Sequence, residues 1–564
     1  AIQIFISTIR NEPPPLPEGI PGELRRICAR SLSKEATSRY PSALELAEDI
    51  QGWLEQAKLR QQALEILAGA EVYNPKRDHR APRERARGLR QKAKALLRPI
   101  RPNAPIDHTR PAWALADEAD RLARMAEIAD VHYIQALRSA LSLVPNLPEA
   151  QERLSDYYHQ KHREAEQRRD LGAAARFEIL LRDHDQGRYQ AYLKGEGSLS
   201  LVTYPAGAKA MLYRFETHER RLVPVFSKPL GTTPLTAQAL PQGSYLIQLE
   251  KAGYEQVLYP VEISRGEHWT GWHGSELPKV PVVLPKLGVL DRNDVYIPPG
   301  PFWCGGDVSA PGSLPRARVN LKGFVIRRFP VTNREYLNFL NDLVDRGEPE
   351  EAERWVPRGA SPHPNELGEA VYGQDFEGYY FLDVDGDGDR WEPDWPVMLV
   401  DWFAAQAYAR WEAQRSGEPW RLVRDLEWEK AARGVDGRAF PWGDYLDPTW
   451  CCIRESHSAR PMLVAVDTYP DDISLYGVRG MAGNVRDWCE DRYERSEEQE
   501  VTPPDDDLLT PSIEIVDGED PSPRVNRGGF FNVTESGSRC ATRDSVLPDS
   551  RGVITGFRLA RPLK

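Results

Sequence analysis

The apolar residues of this chain change their spacing near residue 195. Before that point they recur every three or four positions, which is the pattern of amphipathic helices. After Gly195, apolar and polar residues alternate with a period of two, and glycine and proline mark the turns, which is the pattern of β-strands. One N-terminal helix is predicted to begin after Ser42, because Glu45 stands in capping-box spacing to that serine.

The last part of the chain, residues 288–564, combines short strands with long loops rich in tryptophan, glycine and proline. Three amphipathic helices are predicted within it, at Asn333–Val344, Phe403–Gln414 and Leu426–Arg433. With 564 residues the chain is too long for a single hydrophobic core. The predicted fold class is therefore multidomain α+β, with a helical N-terminal half, a small β-sandwich and a last domain with much irregular structure.

Charge and composition argue against a nucleic-acid or membrane-spanning protein. The formal net charge is -12, whereas binding to phosphates needs a clustered excess of lysine and arginine. The basic run from Lys76 to Arg101 is interleaved with alanine and leucine at helical spacing, which predicts a solvated helix face. No apolar run approaches the roughly 20 residues that cross a bilayer. The 6 cysteines form no CxxC pair, which favours a reducing compartment, and we expect a cytoplasmic protein.

The first 57 residues contain the string GIPGELRRICARSLSKEATSRYPSALELAEDIQGWL. It resembles the last helices of a bacterial Ser/Thr protein kinase of the eukaryotic-like type, and Arg39 matches an arginine that pairs with a glutamate in that family. The glutamate, the Gly-rich loop, the β3 lysine, the HRD loop and the DFG motif are all absent from this sequence. Residues 1–57 are therefore predicted to be the end of a kinase C-terminal lobe that transfers no phosphate, within a kinase fusion protein.

Two further regions resemble known modules. Residues 58–195 resemble tetratricopeptide-like helical hairpins, on the proline-punctuated turn in LVPNLPEAQERL, and this resemblance implies protein partners. Residues 196–287 resemble a PEGA domain, a small β-sandwich named for a turn that reads Pro205-Ala206-Gly207-Ala208 here. That domain carries no chemistry of its own, and the sequence shows no catalytic constellation in it.

Residues 288–564 contain five ordered strings: FVIRRFPVTNREYLNFLN, WPVMLVDWFAAQAYARW, RLVRDLEWEKAARG, YPDDISLYGVRGMAGNVRDW and VNRGGFF with RCATRDSVLPDSRGVITGFRLA. They resemble the formylglycine-generating-enzyme (sulfatase-modifying-factor) family, whose fold is a variant of the C-type lectin fold. Its oxidase members hold copper with two cysteines between the RGG and RxAxR strings, since soft thiolates select Cu(I). Here the interval from Phe530 to Ser538 has no cysteine, and Cys540 matches neither of the pair. We expect no copper and no formylglycine-generating activity.

Iron chemistry is also not expected. A related branch of the family makes iron-dependent sulfoxide synthases, which take three histidines from an added helical domain. This chain offers only His159 and His162, which we expect on a solvated helix face.

Calcium is the ion that the sequence favours, through the string FLDVDGDGDRWEPDW. Asp383, Asp385 and Asp387 stand at alternate positions, Gly388 follows at the sixth and Asp394 at the twelfth, an order of oxygen ligands that can wrap calcium. The twelfth residue is aspartate where an EF-hand has glutamate, and prolines flank the loop. A solvated acidic loop is the alternative.

A second calcium candidate comes from the resemblance alone. The family's GNVWEW string helps to hold a structural calcium, and the matching residues are Asn484, Val485 through its carbonyl, and Asp487. Arg486 replaces the usual aromatic residue, which puts the local packing in question.

The segment from Gly529 to Arg558 corresponds to the exposed face that members of this fold use for ligands. Aromatic anchors beside adaptable polar groups are typical of a binding surface. The candidates are Phe530, Phe531, Asn532, Thr534, Glu535, Ser538, Arg543, Asp544 and Ser545. The alternative for the two phenylalanines is a place in the core.

Three functions remain open. The first is a non-catalytic region of a Ser/Thr kinase fusion that binds a protein, peptide or small molecule through its last domain. The second is a ligand-binding protein diversified by a retroelement, because such proteins vary this same segment of this same fold. The third is an enzyme with altered chemistry in the same cleft.

Overall fold

The computed structural model describes residues 16–75, 80–97, 99–100, 104–168, 170–274, 280–359, 368–384, 388–494 and 521–563. The chain divides into two compact units, one that ends at Leu193 and one that begins at Lys194. The change in hydrophobic period near Gly195 lies at this division. No helix in the described ranges is both long and apolar enough to cross a membrane.

The first unit is helical, as its period predicted. Its helices are α1 Gly22–Ser31, α2 Ala43–Ala70, α3 Arg80–Leu97, α4 Arg110–Leu143, α5 Pro148–Gln167, α6 Leu171–His184 and α7 Gln190–Lys194, the last of which crosses into the second unit. The predicted cap of α2 is confirmed, since Ser42 Oγ accepts a hydrogen bond from Glu45 N at 3.2 Å. The helix continues without a break past residue 57, where we placed a domain boundary.

Small residues allow the helices of this unit to pack closely. The buried face of α4 is rich in alanine, including Ala119 and Ala126. Toward the C-terminal end of this helix, Leu137 packs in a core with Leu67 and Leu154.

The expectation that His162 lies on a solvated helix face was wrong. It is buried and lies 2.6 Å from the Tyr192 hydroxyl, because α5 turns this face toward the end of the unit instead of solvent.

The second unit begins with a β-sandwich. Its strands are β1 Glu196–Leu201, β2 Thr203–Tyr204, β3 Lys209–His218, β4 Arg221–Thr232, β5 Leu235–Pro241, β6 Gly243–Glu250, β7 Val257–Ile263, β8 His268–Trp269 and β9 Val282–Val283. One sheet has the antiparallel order β4-β3-β6-β7, and a second has the order β5-β1-β8. Leu199, Leu212, Ile247 and Val261 form its core. The period-two alternation therefore predicted this region well.

The last domain holds two four-stranded sheets, β10-β13-β21-β16 and β19-β18-β17-β20. Its strands are β10 Asp294–Ile297, β11 Gly300–Cys304, β12 Ala317–Leu321, β13 Phe324–Arg327, β14 Tyr372–Gln374, β15 Tyr380–Leu382, β16 Arg421–Leu422, β17 Arg486–Arg492, β18 Arg524–Arg527, β19 Arg543–Val546, β20 Thr555–Phe557 and β21 Leu559–Pro562. Its helices are α8 Asn333–Asp345, α9 Pro349–Trp355, α10 Trp402–Ser416 and α11 Asp425–Arg433.

Three of these helices confirm the sequence prediction to within one or two residues at each end. The capping box of α8 is complete, because Thr332 and Glu335 bond each other's backbone. Asp401 caps α10 by accepting from Ala404 N at 2.8 Å, and Gly417 ends that helix in the left-handed region. Every residue of α11 is buried, so this short helix lies at the centre of the domain.

The sandwich is fixed to the last domain by polar contacts. Leu222 N in the β3–β4 hairpin donates to Trp442 O at 2.8 Å. The neighbouring Arg221 forms an ion pair with Asp471. In β6 of the same sheet, Ser244 donates to Asp436 Oδ2 at 2.7 Å. These contacts bring a sandwich hairpin next to the loops of the last domain.

Candidate functional site

The segment from Gly528 to Ser545, which we call the terminal loop, comprises the connection between β18 and β19 and the first three residues of β19. Its start is held by close backbone contacts. A Cβ on Gly529 would lie 1.9 Å from the Ala482 carbonyl oxygen, and Gly528 has a φ of +91°, so only glycine fits both positions. Phe531 N then donates to Asn484 O at 3.0 Å. The loop is therefore anchored on the strand that begins at Arg486.

The interval between the RGG and RxAxR strings, in which the family resemblance expects the two cysteines of oxidase members, contributes Val533 to an apolar cluster. Val533, at 9% exposure, packs with Phe440, Trp442, Cys451 and Ile453, and Phe530 packs against the same cluster. A branched alkyl side chain offers no metal ligand. The residues present therefore do not fit a two-thiolate copper site in this loop.

Cys451 belongs to this apolar cluster, and Cys452 follows it in the chain, far from the terminal loop in sequence. Both are buried, and burial raises the pKa of Cys451 strongly and that of Cys452 to about 12. Cys452 Sγ lies 3.5 Å from His457 Nε2 and 3.6 Å from Met462 O. Neutral thiols in this setting are weak nucleophiles and weak ligands at neutral pH.

All 6 cysteines are free, because the structure places no two of them in a disulfide. Burial likewise raises the pKa of Cys540, which lies at 0% exposure inside the RCATR string. Burial therefore disfavours the thiolate form of Cys451, Cys452 and Cys540.

The outer side of the terminal loop is polar. Asn532, Thr534, Glu535, Asp544 and Ser545 are exposed. Asn532 accepts a hydrogen bond from Arg454 Nε at 3.0 Å through its side chain. Five of the nine predicted binding residues thus lie on an accessible surface, where their binding role stays a prediction.

Phe530 and Phe531 are half-buried and meet edge to face, with ring centroids 6.2 Å apart. Arg486 lies over the Phe530 ring at 5.0 Å and forms an ion pair with Asp544. Arg486 is the residue that replaces an aromatic in the family string. Its guanidinium joins the start of β17 to both ends of the terminal loop, which accounts for the packing that the sequence left in question.

Ser538 and Arg543 do not lie on the exposed face where we expected them. Ser538 is at 0% exposure and bonds Thr534 O at 3.4 Å. Arg543 is at 2% exposure and donates from Nε to Asp425 Oδ2 at 2.9 Å. A buried carboxylate needs such a partner, so Arg543 serves the interior of the domain.

Arg543 belongs to a buried charge network around α11. Arg527 donates to Asp425 Oδ1 at 2.5 Å and to Glu429 Oε2 at 2.8 Å, and Arg433 donates to Glu429 Oε1 at 2.7 Å. Burial alone would raise the pKa of Asp425, but Arg527 and Arg543 outweigh it and the pKa is lowered. The network fixes the RGG string and β19 to the central helix, and so sets the position of the terminal loop.

The second calcium candidate consists of side chains that already have protein partners. Asn484 accepts from Val464 N at 3.1 Å and donates to Val464 O at 2.9 Å. Asp487 accepts from Arg558 Nε at 2.6 Å and from Trp428 Nε1 at 2.7 Å. Val485 is buried beside them. Asp487 accepts both of these bonds on Oδ2, and its buried Oδ1 has no hydrogen-bond partner among the described residues, which leaves one oxygen ligand for a cation. Calcium binding here stays a prediction.

The acidic loop is described in part. Asp383 and Asp394 are exposed, and Asp394 accepts from Arg334 at 3.1 Å, while Asp385 and Asp387 lie outside the described residues. Gly388 has the left-handed φ of +83° that a sharp turn requires. Within the described ranges, no group of three or more His, Cys, Asp or Glu residues could hold a metal ion. Calcium in this loop also stays a prediction.

The geometry can now be compared with known proteins. A family model described as the sulfatase-modifying factor enzyme 1-like domain matches residues 286–563, and a PEGA domain model matches residues 222–270. The formylglycine-generating enzyme of Thermomonospora curvata is 30% identical over 306 residues, which cover 48% of this chain and 94% of that enzyme. The chain belongs to the sulfatase-modifying factor family.

The relatives include proteins named as enzymes and proteins named as inactive. The inactive Cα-formylglycine-generating enzyme 2 of Mus musculus is 28% identical over 333 residues, which cover 52% of this chain and 96% of that protein. The Ser/Thr protein kinase Pkn1 of Chlamydia trachomatis is 27% identical over 272 residues, which cover 48% of this chain but 38% of the kinase. Membership of the family therefore does not decide between an enzyme and a binding module. That choice depends on which residues the terminal loop contains.

Proposed function

We propose that this chain is a non-catalytic binding region, in which a formylglycine-generating-enzyme-like domain of the C-type lectin type presents the terminal loop to a ligand. The observation that carries the proposal is the identity and burial of Val533. An alkyl group packed among aromatic side chains occupies the segment where active relatives are expected to carry thiolates. The domain keeps the fold of the family but lacks the paired thiolates of its oxidase members.

The surface of the terminal loop supports a binding role. It offers half-buried rings at Phe530 and Phe531 beside exposed polar groups at Asn532, Glu535 and Asp544. The charge network around α11 holds this loop without using those exposed groups. A rigid support under adaptable polar side chains is what a binding surface needs.

The kinase resemblance suggests where such a module operates. Residues 1–57 match the end of a kinase lobe by their sequence string, and Pkn1 combines the name of a Ser/Thr kinase with similarity to the last domain here. We therefore propose that the binding region belongs to a kinase fusion and reports ligand or partner occupancy to it.

The experiment that tests the proposal separates turnover from binding. The full chain is incubated aerobically, with copper supplied, together with a peptide that contains the cysteine target of the Thermomonospora curvata enzyme, and aldehyde is detected with a hydrazide probe. We expect aldehyde from the Thermomonospora enzyme and none from this chain. Aldehyde from this chain above the enzyme-free background would overturn the proposal.

Binding is tested on peptide and glycan arrays. The wild-type chain is compared with a double variant, Asn532→Arg with Glu535→Arg, and with Tyr445→Phe as a control on another exposed residue of the same domain. We expect a specific signal that the double variant loses and the control keeps. A signal that survives in the double variant would place binding elsewhere.

A further inference from the structure

A polar cavity with a volume of about 780 Å³ opens between α8 and α10, and the terminal loop contributes nothing to it. This volume lies within the range of small-molecule and peptide-anchor sites. One wall is a stripe of α8 whose members recur every three or four residues, namely Glu335, Asn338, Asn341, Asp342 and Asp345. The facing wall is a stripe of α10, namely Tyr408, Trp411, Glu412 and Arg415.

The α8 wall is acidic. Glu335 caps its own helix, and Asp345 accepts a hydrogen bond from the Tyr379 hydroxyl at 2.7 Å. Among the described residues, neither carboxylate has a lysine, arginine or histidine partner within ion-pair distance. Each is bonded to neutral donors, whereas Asp342, which lies between them on the stripe, forms an ion pair with Arg346 at 2.6 Å.

Two of the three arginines that line the cavity are already engaged. Arg415 Nε donates to Glu412 Oε2 at 2.9 Å. Arg327 donates to Glu412 Oε1 at 3.1 Å and to Asp294 Oδ1 at 2.7 Å. These guanidinium groups pair with their own carboxylates, so Glu335 and Asp345 are the carboxylates of the α8 stripe that have no ion pair among the described residues, while Arg292 also lines the cavity.

The floor of the cavity carries a polar group that is unpartnered among the described residues. Tyr408 is at 5% exposure, and its ring is held against Tyr336 and Phe557 at centroid distances of 5.7 and 5.3 Å. Its hydroxyl makes no hydrogen bond to any described side chain or backbone group, although the residue lines the cavity. A hydroxyl on a cavity wall that no described protein group bonds is available to a ligand.

We propose that this cavity binds a short basic segment of a protein, with lysine or arginine cations along the α8 stripe and a backbone carbonyl on the Tyr408 hydroxyl. From Glu335 to Asp345 the stripe rises about 15 Å along the helix, which about four to five residues of extended chain would span. A polyamine supplies the cations but no carbonyl, so the hydroxyl favours the peptide. This site is separate from the terminal loop and does not depend on the function proposed for it.

The test is isothermal titration calorimetry on the full chain at low ionic strength. The probe is acetyl-Lys-Gly-Lys-Gly-Lys-amide, with spermine and acetyl-Glu-Gly-Glu-Gly-Glu-amide as comparisons. Tyr408→Phe removes the hydroxyl without breaking a described hydrogen bond, and Asp345→Lys reverses one charge of the stripe. Tyr445→Phe and Asp549→Lys are matched controls at exposed positions outside the cavity.

We expect the lysine peptide to bind, at least tenfold loss in Asp345→Lys, about fivefold loss in Tyr408→Phe and unchanged affinity in both controls. Asp345→Asn, which keeps an acceptor for Tyr379, confirms that lost charge and not lost folding weakens binding. Absence of binding by the lysine peptide, or equal affinity in wild type, Asp345→Lys and Tyr408→Phe, would overturn the site. The peptide assignment would be overturned if spermine binds with the same affinity as the lysine peptide and Tyr408→Phe does not change the affinity for spermine.

Discussion

Arg527 donates from Nε to Asp425 Oδ1 at 2.5 Å, with both side chains almost completely removed from solvent. The pair joins the last residue of β18 to the first residue of α11, and the terminal loop begins directly after it. A charge pair at this depth is costly to break, because the partner that remains is buried without compensation. The position of the loop therefore depends on this contact.

Replacing Arg527 by methionine tests that dependence. The change keeps much of the side-chain length but leaves Asp425 and Glu429 short of one cation, so we expect a loss of about 3 to 5 kcal/mol in the free energy of unfolding. Urea unfolding followed by tryptophan fluorescence gives the value. Arg454→Met, at an exposed arginine, is the control and should cost less than about 1 kcal/mol. A loss below about 1 kcal/mol in Arg527→Met would show that the pair does not stabilise the domain.

Val533 tests the apolar filling of the loop. Truncation to alanine removes two buried methyl groups from the cluster with Phe440 and Trp442, and we expect a loss of about 2 kcal/mol. Val553, at 55% exposure, is the matched control, and its change to alanine should stay within about 0.5 kcal/mol. Chemical unfolding of both variants measures the difference. Equal, small losses at the two valines would mean that Val533 is not packed.

Asp472 gives the domain a pH dependence that can be worked out in sign. Burial raises the pKa of this carboxyl to about 6, although the backbone N–H groups of Ala482 and Met481 oppose the shift. Between the unfolded pKa near 4 and this value the folded state binds more protons, so the contribution of Asp472 to stability falls as pH rises through that window.

The variant Asp472→Asn keeps an oxygen acceptor for both N–H groups and removes the charge. Its free energy of unfolding, relative to wild type, should rise by about 3 kcal/mol between pH 4 and pH 7, since each pKa unit corresponds to about 1.4 kcal/mol. Unfolding at a series of pH values measures this difference, in which the other titrating groups cancel. A difference that is flat with pH, or that falls, would contradict the buried ionised carboxylate.

Calcium binding by the acidic loop is proposed on the sequence order Asp383, Asp385, Asp387, Gly388 and Asp394. We expect the melting temperature of the full chain to fall on chelation and to recover with added calcium. The double variant Asp385→Asn with Asp387→Asn should lose this response, whereas Asp549→Asn should keep it. An unchanged melting temperature in chelator and in calcium would leave the loop as a solvated acidic turn.

The elements that sequence predicted well are those whose signals are local. The helices α8 and α10 were predicted from amphipathic spacing, and the structure adds local caps at Thr332 and Asp401 that agree with it. The misplaced residues depend on distant partners. From the sequence we expected Arg543 on the surface, because its partner Asp425 is 118 positions away in the chain. Tyr408 reads as core, and nothing in its neighbours shows that its hydroxyl lacks a partner.

The most direct test of the absent reactive centre is Cu(I) binding by the full chain under anaerobic conditions, in competition with a chromogenic chelator. The Thermomonospora curvata enzyme is the positive control, and Cys451→Ser with Cys452→Ser tests the thiol that packs with Val533 and its neighbour. We predict tight stoichiometric uptake by the enzyme and none by this chain, with or without the serine changes. One tightly bound Cu(I) per chain would contradict the account.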